Sequence, residues 1–434
     1  MIFEVVSTTI FGAISLKAYL SKNRAGNDSK KLNKIFTLSG LNVKDGNRTL
    51  TTQLLKKKNF EWGTEYRYRI PLGRSFEDYQ AKQKVIEAGV NTRSVKIELK
   101  DLRGLTLDRN IINSIKGLYT KKLTDRKEIE LSYDGVLFIR VYNDPLPEKV
   151  EFVEGKGWTV VFGATRDRNK LIFHDFEKVP HLCLGGATRY GKSNLINCII
   201  NSLLRQQPDN VRLHLIDLKG GVELCDYEKI KQTESIAYEP EEALETLENA
   251  YNIMREKQEI LRKAGKKKVE DAGITERHFV IIDEVGELNP DEAVSKEEKL
   301  YKHQCQKYMS QIARLGAGLG FRLILATQYP TGDVIPRQCK QNIDAKLCFR
   351  VQSGTASRVV LDSDGAENLP EIKGRAIYQM ADKRIIIQTP HITQDIIQET
   401  ITPIIIPTKG GKPLEKIERE TRKNVVKFEE TGFS

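Results

Sequence analysis

The chain has 434 residues and a formal net charge of +11, because 70 lysine and arginine residues outnumber 59 aspartate and glutamate residues. This length allows two or three domains with a sizeable core. The charge favours nucleic acid or an acidic membrane surface as a partner, although an ordinary basic cytosolic protein has a similar charge. The six cysteines form no C-x-x-C pair and the six histidines lack metal-ligand spacing, so a disulfide framework and a zinc site are excluded.

Residues 1–20 are mostly apolar and are followed directly by a basic stretch that includes Lys22 and Arg24. This order predicts a transmembrane or membrane-associated helix whose positive flank stays in the cytoplasm, at the inner face of the cell membrane. Glu4 and Lys17 argue against a full span, because they limit the uncharged run to residues 5–16. A bilayer needs roughly 20 apolar residues. An interfacial or buried helix is therefore the alternative.

Two regions separate this segment from the predicted catalytic domain. Residues 21–59 are polar, rich in lysine and interrupted by glycine, which predicts a basic linker. Residues 60–157 predict a small α/β domain, with strands at 65–70, 95–99 and 129–141 and helices at 75–88 and 108–119. This domain has no catalytic pattern, and we interpret it as a collar that stacks subunits or contacts a partner.

Residues 158–400 predict the catalytic domain, because strand and helix patterns alternate along them, and residues 401–434 predict a C-terminal tail. After a hairpin at 158–173, apolar strands are predicted at 181–184, 211–216, 279–282, 321–326 and 346–351. Helices fit residues 194–205, 241–264 and 297–315. This order indicates an α/β fold, with a parallel sheet covered by helices on both faces. Nucleotides bind at the carboxyl ends of such strands.

Residues 186–193 read G-A-T-R-Y-G-K-S, an uninterrupted G-x-x-x-x-G-K-[ST] phosphate loop between a predicted strand and a predicted helix. Gly186 and Gly191 let backbone N–H groups point at phosphate oxygens. Lys192 is placed to reach the β- and γ-phosphates, and the Ser193 hydroxyl to reach Mg²⁺. The predicted cofactors are ATP and Mg²⁺. The predicted nucleotide-binding residues are Gly186, Ala187, Thr188, Arg189, Tyr190, Gly191, Lys192, Ser193 and Asn194.

Polar residues at the ends of two later strands predict the rest of the site. The strand at 279–282 runs into Asp283, predicted to hold Mg²⁺ through its water shell, and Glu284, predicted to be the general base or to orient the attacking water. A buried strand that ends in two solvated acids is the alternative. Gln328 follows the strand at 321–326 and is predicted to sense the γ-phosphate, although a strand cap has the same pattern.

Asp217 and Lys219 follow the strand at 211–216 and allow two interpretations. They could position the active-site water or contact a neighbouring subunit. They could equally form an internal ion pair that closes a turn, which is the commoner role of such a pair.

Five ordered groups of residues resemble motifs of the FtsK/SpoIIIE family of hexameric DNA translocases. They are P-H-L at 180–182 with N-L-I-N at 194–197, I-D-L-K-G-G-V-E-L at 216–224, I-D-E at 282–284, L-A-T-Q-Y-P at 325–330, and S-R, L-D and G-A-E within 357–367. The resemblance covers about residues 158–380 and implies a RecA-like motor domain in a bacterial protein. Arg189 and Tyr190 depart from the small residues usual in the family, so two bulky side chains are expected over the nucleotide.

Ring motors of this family complete each site with an arginine from the next subunit, which stabilises charge on the transferring phosphoryl group. Arg350 and Arg358 are the candidates, because both lie in the segment that resembles the inter-subunit region of the family. Surface ion pairs are the alternative for both. With Lys192, Glu284 and Gln328, these arginines form the predicted catalytic set.

The function implied by the resemblance is an ATP-driven DNA translocase that assembles as a homo-hexamer. The short frame around the motor is most similar to the coupling proteins of integrative and conjugative elements in Gram-positive bacteria. Conjugative transfer would add a relaxase and channel proteins as partners. The alternatives are a chromosome-segregation translocase, a type VII-like protein-secretion ATPase and an adaptor that binds ATP without hydrolysing it. Secretion ATPases usually repeat the motor domain, and Glu284 argues against an adaptor.

Overall fold

The computed structural model describes residues 28–91, 127–166, 170–328, 334–381 and 383–406. The predicted anchor at 1–20, the strand predicted at 95–99 and the helix predicted at 108–119 therefore lie outside the described residues. No helix within the described ranges is both long enough and apolar enough to cross a bilayer.

The N-terminal part of the fold is a four-stranded antiparallel sheet with helices on one face. Its elements are α1 (Asp28–Leu38), β1 (Val43–Asp45), β2 (Arg48–Leu50), β3 (Gln53–Phe60), β4 (Gly63–Arg69), α2 (Phe76–Ala81), α3 (Gln83–Val90), β5 (Ile129–Tyr133) and β6 (Leu137–Tyr142). The sheet order is β3-β4-β6-β5, and β1 pairs with β2 as a separate hairpin. The described elements form a small α/β unit that begins before residue 60.

The basic linker predicted for residues 21–59 is wrong from Asp28 onward. The stretch forms α1 and three strands, and the Phe36 ring of α1 packs edge-on against Tyr68 at 5.3 Å and Tyr79 at 5.6 Å. Leu32 is fully buried beside them. A segment rich in lysine looks like a tether because only a few apolar residues anchor it. Their burial depends on tertiary partners far along the chain.

The motor domain follows, with ten strands and six helices among the residues described. They are β7 (Thr159–Ala164), β8 (Leu171–Asp175), β9 (Leu182–Gly185), α4 (Lys192–Gln206), β10 (Val211–Ile216), β11 (Thr233–Ala237), α5 (Pro240–Lys263), β12 (Arg277–Ile282), α6 (Lys296–Leu315), β13 (Phe321–Thr327), α7 (Arg337–Gln341), β14 (Ala345–Phe349), α8 (Gly354–Leu361), β15 (Arg375–Met380), β16 (Lys383–Gln388) and α9 (Gln394–Ile401).

All ten strands form one mixed sheet in the order β11-β10-β12-β13-β9-β14-β15-β16-β7-β8. The first six strands are parallel, and the last four continue the sheet with antiparallel pairings. The predicted parallel strands are therefore part of a mixed sheet, in which six of the ten strands are parallel. Helices cover both of its faces as predicted: α5, α6 and α8 pack on one core cluster, and α4 and α9 pack on the other.

The segments that flank the motor are tied to it. Residues 402–406 were predicted to start the tail, but Ile404 accepts a bond from the Lys231 N–H at 3.1 Å, and Ile405 bridges to Ile230. On the other side, the fully buried Arg375 donates to the carbonyl oxygens of Leu146 and Pro147 at 3.2 and 3.0 Å. This arginine joins the end of the N-terminal region to the motor sheet.

Candidate nucleotide-binding site

The phosphate loop connects β9, an interior strand of the motor sheet, to the 15-residue helix α4. Gly191 lies immediately before the helix with φ 117°, a backbone conformation that side chains disfavour. A Cβ on Gly186 would lie only 2.6 Å from the Cβ of Phe349, so this position accepts glycine alone without rearrangement. The loop is fixed from outside by bonds from the Ala187 N–H to Arg350 O at 2.9 Å and from the Gly374 N–H to Tyr190 O at 2.8 Å.

Lys192 begins α4 and joins the loop to the end of β12. Its amine donates to the backbone oxygen of Asp283 at 2.6 Å and to Oδ1 of the same residue at 2.5 Å. Both side chains are buried, with exposed fractions of 3 % and 0 %. Removing one partner of such a pair leaves a buried charge without compensation, which typically costs about 3–5 kcal/mol. The two halves of the predicted site therefore meet in the folded chain.

Glu284 is buried beside this pair at the end of β12. Its Oε2 accepts a bond from the Gln328 backbone N–H at 2.8 Å. Burial raises the pKa of Glu284, against the opposing effects of hydrogen bonds from Thr327 and Gln328 and of the Lys192 charge. A carboxylate with a raised pKa is a better proton acceptor near neutral pH. The alternative of two solvated acids is wrong, because Asp283 and Glu284 are both buried.

Gln328 bridges the phosphate loop to the loop that follows β10. Its Oε1 accepts a bond from the Thr188 hydroxyl at 3.0 Å and another from the amine of Lys219. A strand cap would satisfy only local backbone groups, whereas this side chain contacts two separate loops around the site. The contact agrees with the sensing role predicted for Gln328.

The side chains of Asp217 and Lys219 have separate partners and only the Lys219 backbone N–H reaches Asp217 Oδ1, at 3.4 Å, so the interpretation of an ion pair between the two side chains is wrong. Asp217 is fully buried, and its Oδ2 accepts bonds from the backbone N–H groups of Glu223 and Leu224 at 2.9 and 3.0 Å. Asp217 therefore shapes the loop, and Lys219 reaches Gln328 instead. Lys219 is a site residue absent from the predicted catalytic and binding sets. Its position just after a strand on the nucleotide edge was the available signal.

Two residues of the predicted nucleotide-binding set use their side chains elsewhere. Asn194 donates to Pro390 O at 2.7 Å and accepts from the Ile392 N–H at 3.2 Å, which ties α4 to the segment before α9. Tyr190 packs against the core cluster around α4, while Arg189 is exposed. Of the two bulky side chains expected over the nucleotide, Arg189 is the exposed one and Tyr190 packs inward.

The two candidate arginines both have partners within the chain. Arg350 donates to Leu369 O and pairs with Glu371 at 3.2 Å. Arg358 lies on α8 and forms a two-pronged pair with Asp364 at 2.6 and 2.7 Å, with about half of its side chain exposed. These contacts match the ion-pair alternative, and an action across a subunit boundary would require the arginine to exchange partners.

The residues predicted to bind metal fit a magnesium ion that arrives with the nucleotide. Asp283 Oδ2 is a buried oxygen that has no hydrogen-bond partner among the described atoms. Ser193 is the second residue of α4, next to Lys192. Hard cations prefer such oxygen ligands, and Mg²⁺ is usually held by one or two carboxylates together with phosphates. When bound, Mg²⁺ neutralises charge that develops on the transferring phosphoryl group.

Four loops thus bring their polar groups to one edge of the sheet, at the carboxyl ends of β9, β10, β12 and β13. The phosphate loop, the buried lysine–aspartate pair and the adjacent buried glutamate are the parts of a P-loop ATPase site. Residues 153–288 match the family model described as the FtsK/SpoIIIE family. This segment of the motor domain is therefore of the FtsK/SpoIIIE type, in agreement with the resemblance seen in the motifs.

Named relatives agree with this assignment. The DNA translocase SpoIIIE of Bacillus subtilis (strain 168) is 28 % identical over 400 residues, which cover 86 % of this chain and 49 % of that protein. A DNA translocase FtsK of Chlorobaculum tepidum is 31 % identical over 247 residues, which cover 52 % of this chain and 29 % of that protein. This chain thus spans about half or less of the length of these relatives.

Among solved structures, the pCW3 conjugation coupling protein TcpA in its monomer form with ATPγS has a similar fold. The TM-score is 0.58 at 21 % identity, over 87 % of this chain and 99 % of that one. This likeness shows that the two chains share a fold over both the N-terminal domain and the motor.

Proposed function

We propose that this protein is an ATP-hydrolysing motor that moves DNA as a homo-hexamer and serves as a coupling protein in the conjugative transfer of a mobile element. The observation that carries the proposal is Glu284, a buried carboxylate with one oxygen held by the Gln328 N–H and the other without a partner in the described structure. It lies next to the Lys192–Asp283 pair that closes the phosphate loop.

Hydrolysis is favoured over a purely binding role by the chemistry of this glutamate. An adaptor needs the phosphate loop but has no use for a buried base beside it. Burial raises the pKa of Glu284, which suits it to take a proton from the attacking water. Its fixed oxygen holds the side chain in one orientation, so the other oxygen is available for that water.

DNA is the proposed cargo because the curated relatives are named DNA translocases and this chain is basic. A protein-secretion ATPase is the principal rival within the same superfamily. The two functions differ in what stimulates turnover: a DNA motor grips phosphates, and a secretion motor does not.

The conjugative role is supported by the extent of the fold that this chain shares with TcpA, itself a conjugation coupling protein. A relaxase and channel proteins would be the partners, at the cytoplasmic face of the membrane of a bacterial cell. The gene neighbourhood tests this setting, since conjugation predicts relaxase and channel genes beside this one. Cell-division genes there would favour chromosome segregation instead.

In a hexamer, an arginine from the neighbouring subunit would complete each site. Arg358 is the more accessible candidate, because about half of its side chain is exposed on α8. The backbone oxygen of Arg350, in contrast, accepts a hydrogen bond from the Ala187 N–H of the phosphate loop. Sizing of the full chain by mass photometry with ATP and Mg²⁺ tests the assembly. A protein that stays monomeric with nucleotide and DNA would contradict it.

The experiment that tests the function is ATPase activity with DNA of several unrelated sequences across a salt series. We expect turnover that rises with every DNA and a stimulation that falls steeply with salt, because phosphate neutralisation releases counterions. A hexamer whose turnover is the same with and without DNA would favour the secretion rival. Absence of any turnover, with ATP bound, would favour the adaptor.

A further inference from the structure

Within residues 28–91 and 127–142, the four-stranded sheet of the N-terminal domain has one face that the described core does not use. Helices α1, α2 and α3 cover the inner face, where Tyr66, Tyr68 and Ile139 are buried. Side chains alternate between faces along a strand. The residues between these core positions therefore lie on the opposite side, which we call the outer face.

The strand register specifies the members of the outer face. In the β3–β4 pair, Lys56 lies opposite Arg67, Lys58 opposite Glu65, and Phe60 opposite Gly63. In the β4–β6 pair, Arg67 lies opposite Phe138, Glu65 opposite Arg140, and Gly63 opposite Tyr142. Glu130 of β5 lies opposite Arg140. These outer-face positions include four cations, two carboxylates and three aromatic rings.

Trp62, in the turn between β3 and β4, extends this set of rings. Its ring stacks on Phe60 at 4.9 Å and 8°, and lies 4.9 Å from Tyr142 on the other strand. Phe60 is 43 % exposed at the end of the row. A row of stacked rings that ends at an exposed ring is a platform on which a further planar group can stack.

A cleft of about 250 Å³ adjoins the platform where the N-terminal domain meets the motor. Trp62 and Tyr142 line one side of it, and Arg166 and Arg384 of the motor line the other. Its volume lies below the usual range for small-ligand pockets, about 300–1,000 Å³. The cleft has room for a single planar base and none for a duplex.

The edge strand β3 supplies exposed charge beside these rings. All eight of its residues are exposed, and Lys56 and Lys58 point to the outer face with Phe60. Lysines on an edge strand commonly prevent edge-to-edge aggregation. That role needs no aromatic platform on the same face, so the presence of lysines, rings and a base-sized cleft together favours a ligand-binding surface.

We propose that the outer face binds single-stranded DNA, with unpaired bases stacked on the Phe60–Trp62 platform and phosphates neutralised by Lys56 and Lys58. Exposed rings contact base faces only where the bases are unstacked, and stacking on aromatic or guanidinium planes is the usual way in which proteins hold single strands. The inference rests on the proposed function only for the identity of the polymer as DNA. It adds a contact outside the motor that would hold one strand.

Fluorescence anisotropy with labelled oligo(dT), without nucleotide and on the full chain, tests the proposal. Phe60→Ala should weaken binding by about fivefold or more, the effect usual for one base–aromatic contact. The matched control is Phe173→Ala, a comparably exposed ring on β8 of the motor, 52 % exposed against 43 % for Phe60. The control should bind as the wild type does.

A double variant tests the charges. Lys56→Ala with Lys58→Ala should lower the salt dependence of oligo(dT) binding, with the logarithmic slope reduced by about 1.4, since each neutralised phosphate of a single strand contributes about 0.7. Lys34→Ala with Lys84→Ala removes the same charge from exposed positions on α1 and α3, which cover the inner face. This control should leave the slope unchanged.

Trp62 reports the contact directly. The chain has two tryptophans, and Trp158→Phe leaves Trp62 as the only one. Stacking of oligo(dT) should quench its emission, and a duplex should not. Three results would each overturn the proposal. The first is unchanged Trp62 emission on addition of oligo(dT), and the second is an equal effect of the two double variants on the salt slope. The third is equal weakening of oligo(dT) binding and duplex binding by Phe60→Ala. Loss of oligo(dT) binding in the outer-face variants would support it even if DNA failed to stimulate the ATPase, a result that would refute only the proposed motor function.

Discussion

Substitution of Glu284 by glutamine separates ATP binding from hydrolysis. The glutamine has nearly the same shape, and its amide oxygen can still accept the Gln328 N–H bond that holds Glu284 at 2.8 Å. It cannot take a proton from water. Loss of a positioned general base usually lowers the rate by about 10²–10⁴-fold, or about 3–5 kcal/mol of barrier at 1.36 kcal/mol for each factor of ten. ATP affinity should be unchanged.

The pH dependence of this variant follows from the pKa of Glu284, which burial raises above the usual value for a glutamate. The base acts when deprotonated, so wild-type turnover should fall as pH falls through this raised pKa. The variant should lose that acidic limb. A raised folded-state pKa also means that ionised Glu284 destabilises the fold as pH rises through it. The variant should therefore melt at the wild-type temperature or higher at neutral pH.

The matched control is Glu287→Gln, an exposed glutamate three residues along the same turn. It should retain wild-type turnover and the acidic limb. The assay is steady-state ATP hydrolysis over a pH series, with ATP affinity measured by fluorescent-nucleotide displacement. Near-normal turnover in the Glu284 variant, or an acidic limb that persists in its residual activity, would refute the assignment of the base.

Four further substitutions test the rest of the site. Lys192→Ala should abolish turnover and lower the melting temperature, because Asp283 loses its buried partner; unchanged ATP hydrolysis would contradict the assignment of the loop. Arg350→Ala or Arg358→Ala should be inactive alone. Mixing either variant with Lys192→Ala protein should restore some activity, because some interfaces then combine an intact phosphate loop with an intact arginine. Absence of rescue in mixtures shown to co-assemble would count against an arginine acting in trans. Gly186→Ala should destabilise the fold by about 1–3 kcal/mol, because its Cβ would overlap a buried side chain at 2.6 Å; chemical denaturation that shows no loss would disprove the close approach.

Most residues that form the site could be predicted from the sequence, because local backbone geometry fixes their spacing along the chain. A glycine loop between a strand and a helix fixes the position of Lys192 at the start of the helix. An apolar strand that ends in two acids fixes the position of Asp283 and Glu284 at the carboxyl end of that strand. The sequence left open what these groups contact. The bridge from Lys219 to Gln328 joins residues 109 positions apart. No local pattern encodes such a contact.

The sheet was less predictable than the site. Strands β11 and β16 are mostly half-buried or exposed, and β11 carries polar residues at half-buried positions, so their patterns lack a clear period. Such strands pair antiparallel or lie at an edge of the sheet, and the alternation of strands and helices along the chain predicts neither arrangement. Asn194 shows the same limit at one residue: its place in the motif predicts nucleotide contact, and tertiary packing turns its side chain to Pro390.

Displacement of a triplex-forming oligonucleotide from duplex DNA tests most directly whether the protein moves along DNA. The full chain, confirmed as a hexamer, is incubated with triplex substrates of unrelated sequence, with ATP or a non-hydrolysable analogue. We predict release of the third strand with ATP alone, at comparable rates on every sequence, and no release by the Glu284→Gln variant. ATP hydrolysis without release of the third strand on any substrate would contradict the account.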